Sequence, residues 1–213
     1  MSNLEGSPDI ILVLPKGHVL PAVTPIAGYS VQALPASADA WWIAIHRQAV
    51  PAFGESDLKD WLQRYRDLAL RDGILVATDD ATGAPVATAG SLANSKGGMF
   101  PEGGQIGWVA TVPEHRQRGL ASWLTALATR RLQAEGFRSI FLCTGDDMPG
   151  AISVYLRLGY RPCLYASDQA ARWARICAAT GTARADKMRV ATRLRFDMVS
   201  PNEGMAEWRP GPR

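Results

Sequence analysis

The sequence predicts an α/β domain with a mixed, twisted sheet and helices on both faces. Three observations carry that expectation. Segments of strand-like sequence are interleaved with amphipathic helical segments along the chain. Apolar residues make up 47% of the chain against 20% charged, enough to bury a core. A length of 213 residues suits one domain with a small appendage.

"PDIILVLP" (8–15) reads as a strand, and residues 16–27, punctuated by Pro and Gly, as an extended connector. "GYSVQAL" (28–34) alternates as a strand does. Ser37 and Asp39 open a helix over about 38–49, which Pro51 stops. A second helix is expected over 55–73, with Leu58, Trp61, Leu62, Tyr65, Leu68 and Ala69 on one face and Gly73 as its C-terminal stop. Residues 74–93 form a hairpin turning at Asp79 to Gly83, 94–104 a loop, and "QIGWVAT" (105–111) the next strand. Leu120, Trp123, Leu124, Leu127, Ala128 and Leu132 mark the buried face of a third helix, ended by Gly136. Then follow the apolar strand "FRSIFLCT", the helix "PGAISVYLRLG", the strand "YRPCLY" and a helix from Ser167. Between Arg189 and Met198, apolar and charged residues alternate with period two, which predicts a strand with one wet face. Residues 199–213 read as a loose tail.

The formal net charge of +3 is too mild, and its cations too scattered, to argue for nucleic acid. Cys143, Cys163 and Cys177 form no CxxC pair and are odd in number, so they read as reduced thiols rather than a disulfide frame or a metal site. "PDIILVLP" is too short to span a membrane and lacks the basic lead of a signal peptide. A soluble cytoplasmic protein is the expectation.

The stretch "WVATVPEHRQRGLASWLTALATRRL" (108–132) carries the chemistry. A helix start already presents unpaired N–H groups and a partial positive charge. Placing Arg116, Arg118 and Gly119 there makes sense if an anion binds. A strand, a glycine-bearing turn and a helix form such a cradle. The P-loop pattern is absent, and so is a dinucleotide-binding Gly-x-Gly-x-x-Gly near the first strand.

What stands here is Arg116-x-x-Gly119-x-Ala121. It resembles the Gln/Arg-x-x-Gly-x-Gly/Ala pyrophosphate loop of the GCN5-related N-acetyltransferase (GNAT) superfamily. "AISVYLRLGYRP" (151–162) resembles the later signature of that superfamily, Ala-Ile-x-x-Tyr followed by Leu-Gly-Phe/Tyr, at the right separation. The resemblance covers roughly residues 28–166. It divides the chain into an extension (1–27), an acetyltransferase domain (28–166), a C-terminal helix and strand completing it (167–198), and the tail. It implies a mostly antiparallel sheet splayed between the strands at about 105–112 and 137–144.

The resemblance further implies acetyl-CoA as cosubstrate and no metal. The N–H groups of Gln117, Arg118, Gly119, Leu120, Ala121 and Ser122 would hold its pyrophosphate. Val109, Ala110 and Thr111 would pair through their backbone with the pantetheine amides, helped by a bulge near Gly107. Arg116 and Arg118 are side-chain candidates for phosphate; the alternative is that both are solvated loop cations. Tyr155 sits where the superfamily places its general acid. A free thiol has a pKa near ~8.5 and a phenol one of about 10, so a protonated tyrosine suits a departing thiolate. The alternative is a core tyrosine beside Ile152, Leu156 and Gly159.

The base is left open among Asp146, Asp147, Glu102 and a relayed water, since the strand "FRSIFLCT" carries no acid. Met148 stands where the superfamily often has Asn. His115 reads as structural, and His46, Glu55 and Asp57 as acceptor-contact candidates. The expected activity is acetyl transfer to a primary amine of a small molecule or peptide, without nucleic acid or membrane. A homodimer is compatible with it. The alternative is a non-catalytic acyl-CoA sensor or partner-binding module.

Overall fold

The computed structural model describes residues 9–94 and 96–180. Its frame is a seven-stranded sheet in the order β2-β3-β4-β5-β6-β1-β7. The strands are β1 (Asp9–Leu14), β2 (Tyr29–Ala33), β3 (Ala69–Asp79), β4 (Pro85–Ala93), β5 (Gly103–Thr111), β6 (Ser139–Gly145) and β7 (Arg161–Cys163). Every neighbouring pair is antiparallel except β5–β6. The helices are α1 (Asp39–Ala49), α2 (Glu55–Leu68), α3 (Leu120–Ala134), α4 (Pro149–Arg157) and α5 (Gln169–Thr180). No helix among the described residues is long and apolar enough to cross a membrane.

The helices lie on both faces, as expected. Tyr65 of α2 reaches the sheet over Gly90 and Gly107, where an added Cβ would collide with its ring. On the opposite face Ser91 Oγ donates to the Ala128 carbonyl of α3 at 3.1 Å, and a Cβ at Gly104 would meet Leu132. Small residues on β4 and β5 therefore let helices sit close on both sides. One apolar cluster joins α1 and α2 to β3 and β4. A second packs α3, α4 and α5 on β1, β5 and β6.

The segment read as an N-terminal extension supplies β1, which is paired on both edges: Leu12 lies opposite Leu142 of β6 and Pro162 of β7. Its residues Ile10, Ile11 and Leu12 are fully buried. An apolar run without alternation is what a strand covered on both faces requires.

Two expectations are corrected. The second helix ends at Leu68 rather than at Gly73, because Ala69 turns to extended backbone (φ −66°, ψ 139°). Gly73 belongs to β3, where a Cβ would stand 2.7 Å from the Ser91 carbonyl oxygen. Pairing is interrupted between Ala69–Leu92 and Ile74–Gly90, and Asp72 takes a left-handed φ of 55° in the bulge. Ser37 does not cap α1; the N-cap is Ala38 without a side-chain bond, and Asp39 in the first turn pairs with Arg66 instead. The strand expected over 190–198 and the tail over 199–213 lie outside the described residues.

Candidate active site

The candidate site is the place where β5 and β6 stop pairing. Their parallel ladder runs from Gly103–Ser139 to Ile106–Leu142 and goes no further. Beyond it β5 stays with β4 and β6 stays with β1. The inner edges of Gly107–Thr111 and Cys143–Gly145 are therefore not bonded to each other. On β5 the cause is local. Between Thr88–Ala110 and Gly90–Gly107 the strand holds one residue more than β4 opposite, a bulge at Trp108 and Val109. Trp108 takes φ 49°, a conformation that costs a bulky residue about 1–3 kcal/mol. Two contacts hold it. Tyr65 Oη donates to the Gly107 carbonyl at 3.0 Å, and the Trp108 ring packs on Trp61 and Trp42 at 5.2 and 5.4 Å between centroids.

At the end of β5 the chain makes a 3-10 turn (Pro113–His115) and enters α3. Gln117 and Gly119 both have positive φ, 62° and 88°. A Cβ at Gly119 would also stand 3.3 Å from Ile26 Cδ1. Gly119 is the N-cap of α3, no side chain caps the helix, and its first turn has no acid. Among the described residues no side chain caps the N–H groups at this helix start and no acid stands in its first turn, which is the form of an anion cradle.

Both arginines of this loop are engaged in bracing it. Arg116 donates to the carbonyls of Thr111 (3.2 Å) and Ala49 (2.9 Å). Arg118 donates to Tyr29 Oη (2.9 Å) and the Glu114 carbonyl (3.2 Å). The same phenol oxygen lies 2.8 Å from His115 Nδ1. Tyr29 thus joins the loop to β2 through both His115 and Arg118, a contact that the sequence did not announce.

Tyr155 on α4 is buried in the apolar cluster that also contains Ile106 and Leu142, the last β5–β6 pair, and against which Val109 packs. Burial pushes its phenol well above the usual tyrosine range. Ala110 is buried, while Val109 and Thr111 are half-buried. Among the described residues Thr111 Oγ1 is a buried polar atom without a hydrogen-bond partner.

The carboxylates are scattered. Asp146, at the open end of β6, accepts from Arg172 Nε at 2.9 Å and is held below the usual carboxylate range by that arginine. Asp147 follows it, exposed and with no ion pair among the described residues. Glu102 lies before the first residue of β5, at the opposite end from the bulge, 3.5 Å from Arg138. Met148 caps α4, and its sulfur accepts from Thr144 Oγ1 at 3.7 Å. Glu55 pairs with Arg47 (3.2 Å) and Lys59 (2.9 Å) in a groove between α1 and α2 that does not include β5; Asp57 is exposed on the same helix.

A second cavity lies directly beside the bulge. Its aromatic wall is Trp61, Tyr65 and Trp108, and its polar residues are Arg64, Asn94 and Gln105. The sequence reading missed these residues. Gly90 and Gly107 within strands were the available signal, since strand glycines mark close approach by another group. No group of metal-ligating side chains is found among the described residues.

The sequence profile of the acetyltransferase (GNAT) family matches residues 40–160. The chain belongs to that family. The mycothiol acetyltransferase of Renibacterium salmoninarum is 29% identical over 165 residues, 70% of this chain and 45% of the relative. The chain thus spans less than half the length of the curated relative it matches. A GCN5-related N-acetyltransferase from Sphaerobacter thermophilus superposes with a TM-score of 0.58 at 20% identity, over 72% of this chain and 48% of that one. A GNAT-family acetyltransferase from Colwellia psychrerythraea gives 0.58 at 12% identity, over 72% and 52%. At these identities the structural likeness is one of fold.

His46 lies under the bulge, stacked on Trp42 with centroids 3.7 Å apart, and its Nδ1–H donates to the Trp42 carbonyl at 2.9 Å. Burial lowers its pKa from 6.5 to about 4, opposed in part by the backbone of Trp42 and Trp108. Between those values the unfolded chain binds a proton that the folded protein refuses. Stability is therefore expected to fall as pH drops from about 6.5 to about 4, by roughly 3 kcal/mol at most. Urea denaturation at stepped pH checks this. His46→Phe keeps a stacked ring without the titration and should flatten the slope in that window; an unchanged slope would assign it to other groups.

Proposed function

We propose that this chain is an acyl-CoA-dependent N-acetyltransferase that moves the acetyl group of acetyl-CoA to a primary amine of a small molecule or peptide by direct attack. The observation that carries the reading is the convergence of an open β5 edge with an unneutralised row of N–H groups at the start of α3. The residues present fit the cosubstrate. The backbone of Val109, Ala110 and Thr111 offers donors and acceptors to an extended amide-bearing chain. The N–H groups of Gln117, Arg118, Gly119, Leu120, Ala121 and Ser122 suit pyrophosphate oxygens. The guanidinium groups of Arg116 and Arg118, already bonded to the chain, shape the loop and add positive potential to it. Acetyl-CoA supplies the activated thioester carbonyl.

Tyr155 holds the proton for the departing sulfur. Its apolar setting favours the neutral phenol, so it is a donor throughout the working range. An N–H from the 109–111 stretch is suited to polarising the carbonyl oxygen. With Asp146 engaged by Arg172 and Glu102 at the far end of β5, the proton of the amine is assigned to water, with Asp147 the nearby carboxylate. A non-catalytic acyl-CoA sensor would use the same cradle but would not need a protonated phenol at Tyr155.

Acetyl-CoA is expected to raise the melting temperature, because a ligand selective for the folded state stabilises it by mass action. Gly119→Val should abolish that rise, since valine is strained at φ 88° and its side chain would crowd Ile26. A variant that folds and is stabilised as much as the parent would show that the cradle lies elsewhere.

Tyr155→Phe keeps the ring and the packing and removes the proton. Turnover, read as thiol release, should fall by about 10²–10⁴-fold with little change in acetyl-CoA affinity. Because the phenol is raised above its ordinary value of 10.0, the parent rate should climb with pH as the amine deprotonates and show no fall up to about pH 10. A folded variant with near-parental turnover would reject the acid role. A fall below that pH that disappears in the variant would keep the acid role and show that the phenol ionises earlier than its burial implies.

A further inference from the structure

We propose that the cavity between α2 and the β4–β5 edge holds the acceptor, and that it is built for an amine whose far end is a carboxylate on a flat apolar body. The inference rests on the N-acetyltransferase reading and adds the substrate class. The cavity is lined by Trp108, the bulge residue next to Val109, so it opens beside the backbone assigned to the thioester end of the cosubstrate.

The hydrogen-bond polarity of its polar wall is fixed. The Lys96 N–H points at Asn94 Oδ1 at 2.8 Å, which identifies that atom as the carbonyl oxygen. The Asn94 amide nitrogen must then donate, and it does so to Gln105 Oε1 at 2.6 Å. With its oxygen spent, Gln105 has its N–H donors left for a ligand. Arg64 lines the same cavity, and it makes no ion pair or hydrogen bond among the described residues. By contrast Arg47, Arg66, Arg131, Arg138 and Arg172 all pair with carboxylates.

The unspent polar groups are therefore donors, and among the described residues no Asp or Glu lines the cavity. A second ammonium on the ligand would find no counter-charge and would face Arg64. An oxyanion would meet a guanidinium and an amide N–H together. Trp61 and Trp108, with centroids 5.2 Å apart, give the body of the ligand aromatic surface. A pocket of this character selects an acidic, ring-bearing amine and rejects polyamines.

The test uses three probes on one ring: benzylamine, para-(aminomethyl)benzoate and para-xylylenediamine. Their binding is measured by calorimetry with and without CoA, which permits no turnover. The benzoate should bind about tenfold more tightly than benzylamine, as a charge-assisted contact at a partly exposed site gives, and the diamine should bind most weakly. Arg64→Gln should bring the benzoate-to-benzylamine ratio close to one. Gln105→Glu keeps the bond from Asn94 but removes the free donors, and should turn the ratio against the acid. Arg131→Gln, on α3 across the sheet and paired there with Glu135, should leave it unchanged. Equal affinities, a preferred diamine, no measurable binding of the acid, or a preference that survives Arg64→Gln would each overturn the proposal. Acid preference in a protein that binds no CoA would sink the N-acetyltransferase reading and keep the pocket. CoA binding without acid preference would do the reverse.

Discussion

The structure depends on one interruption. After Ile106 and Leu142 the two parallel strands at the centre of the sheet no longer bond to each other. Backbone N–H and C=O groups in a sheet interior are normally paired, so an open edge there must be held open. The bulge at Trp108 does this from the β5 side, and it is itself held by a tyrosine from α2. Tyr65 can reach the Gly107 carbonyl only because Gly90 and Gly107 have no side chains in its way. On the other side β6 keeps its register because β1 pairs along it from Leu14 to Asp9. Each diverging strand thus has a full partner behind it, and the gap between them is a stable feature of the sheet.

The same economy governs the loop. Its positive-φ positions, Gln117 and Gly119, turn the backbone into the start of α3. Arg116 ties it to the end of α1, and Arg118 with His115 ties it to Tyr29 on β2. Two elements distant in sequence therefore set its shape before any ligand arrives. Preorganisation of this kind lowers the ordering cost of binding. The aromatic group of Trp42, His46, Trp61 and Trp108 ties the acceptor-side cavity to the same bulge.

Much of this was legible in the residues. The cradle could be read because a left-handed N-cap demands glycine and because the loop pattern recurs with a second signature at a fixed separation. The strand order near the gap followed from those two signatures. Other features left no local mark. Nothing in "PDIILVLP" says that it enters the sheet between β6 and β7, since pairing partners that distant are set by the tertiary fold. Trp108 in a left-handed conformation violates local preference and is sustained only by its neighbours. The end of α2 was misplaced because Gly73 resembles a helix stop, whereas the packing of β3 on β4 is what requires it. The role of Gln105 rests on an amide orientation that only its bond from Asn94 reveals.

The central claim is that the open β5 edge and the α3 cradle form one ligand site. Amide hydrogen exchange with and without acetyl-CoA tests it most directly, because exchange reports on the N–H groups themselves. The account predicts slowed exchange in two separated stretches, Val109–Thr111 and Gln117–Ser122, with the β2–β3 pair unaffected. Protection confined to other segments, or confined to one of the two stretches, would contradict it.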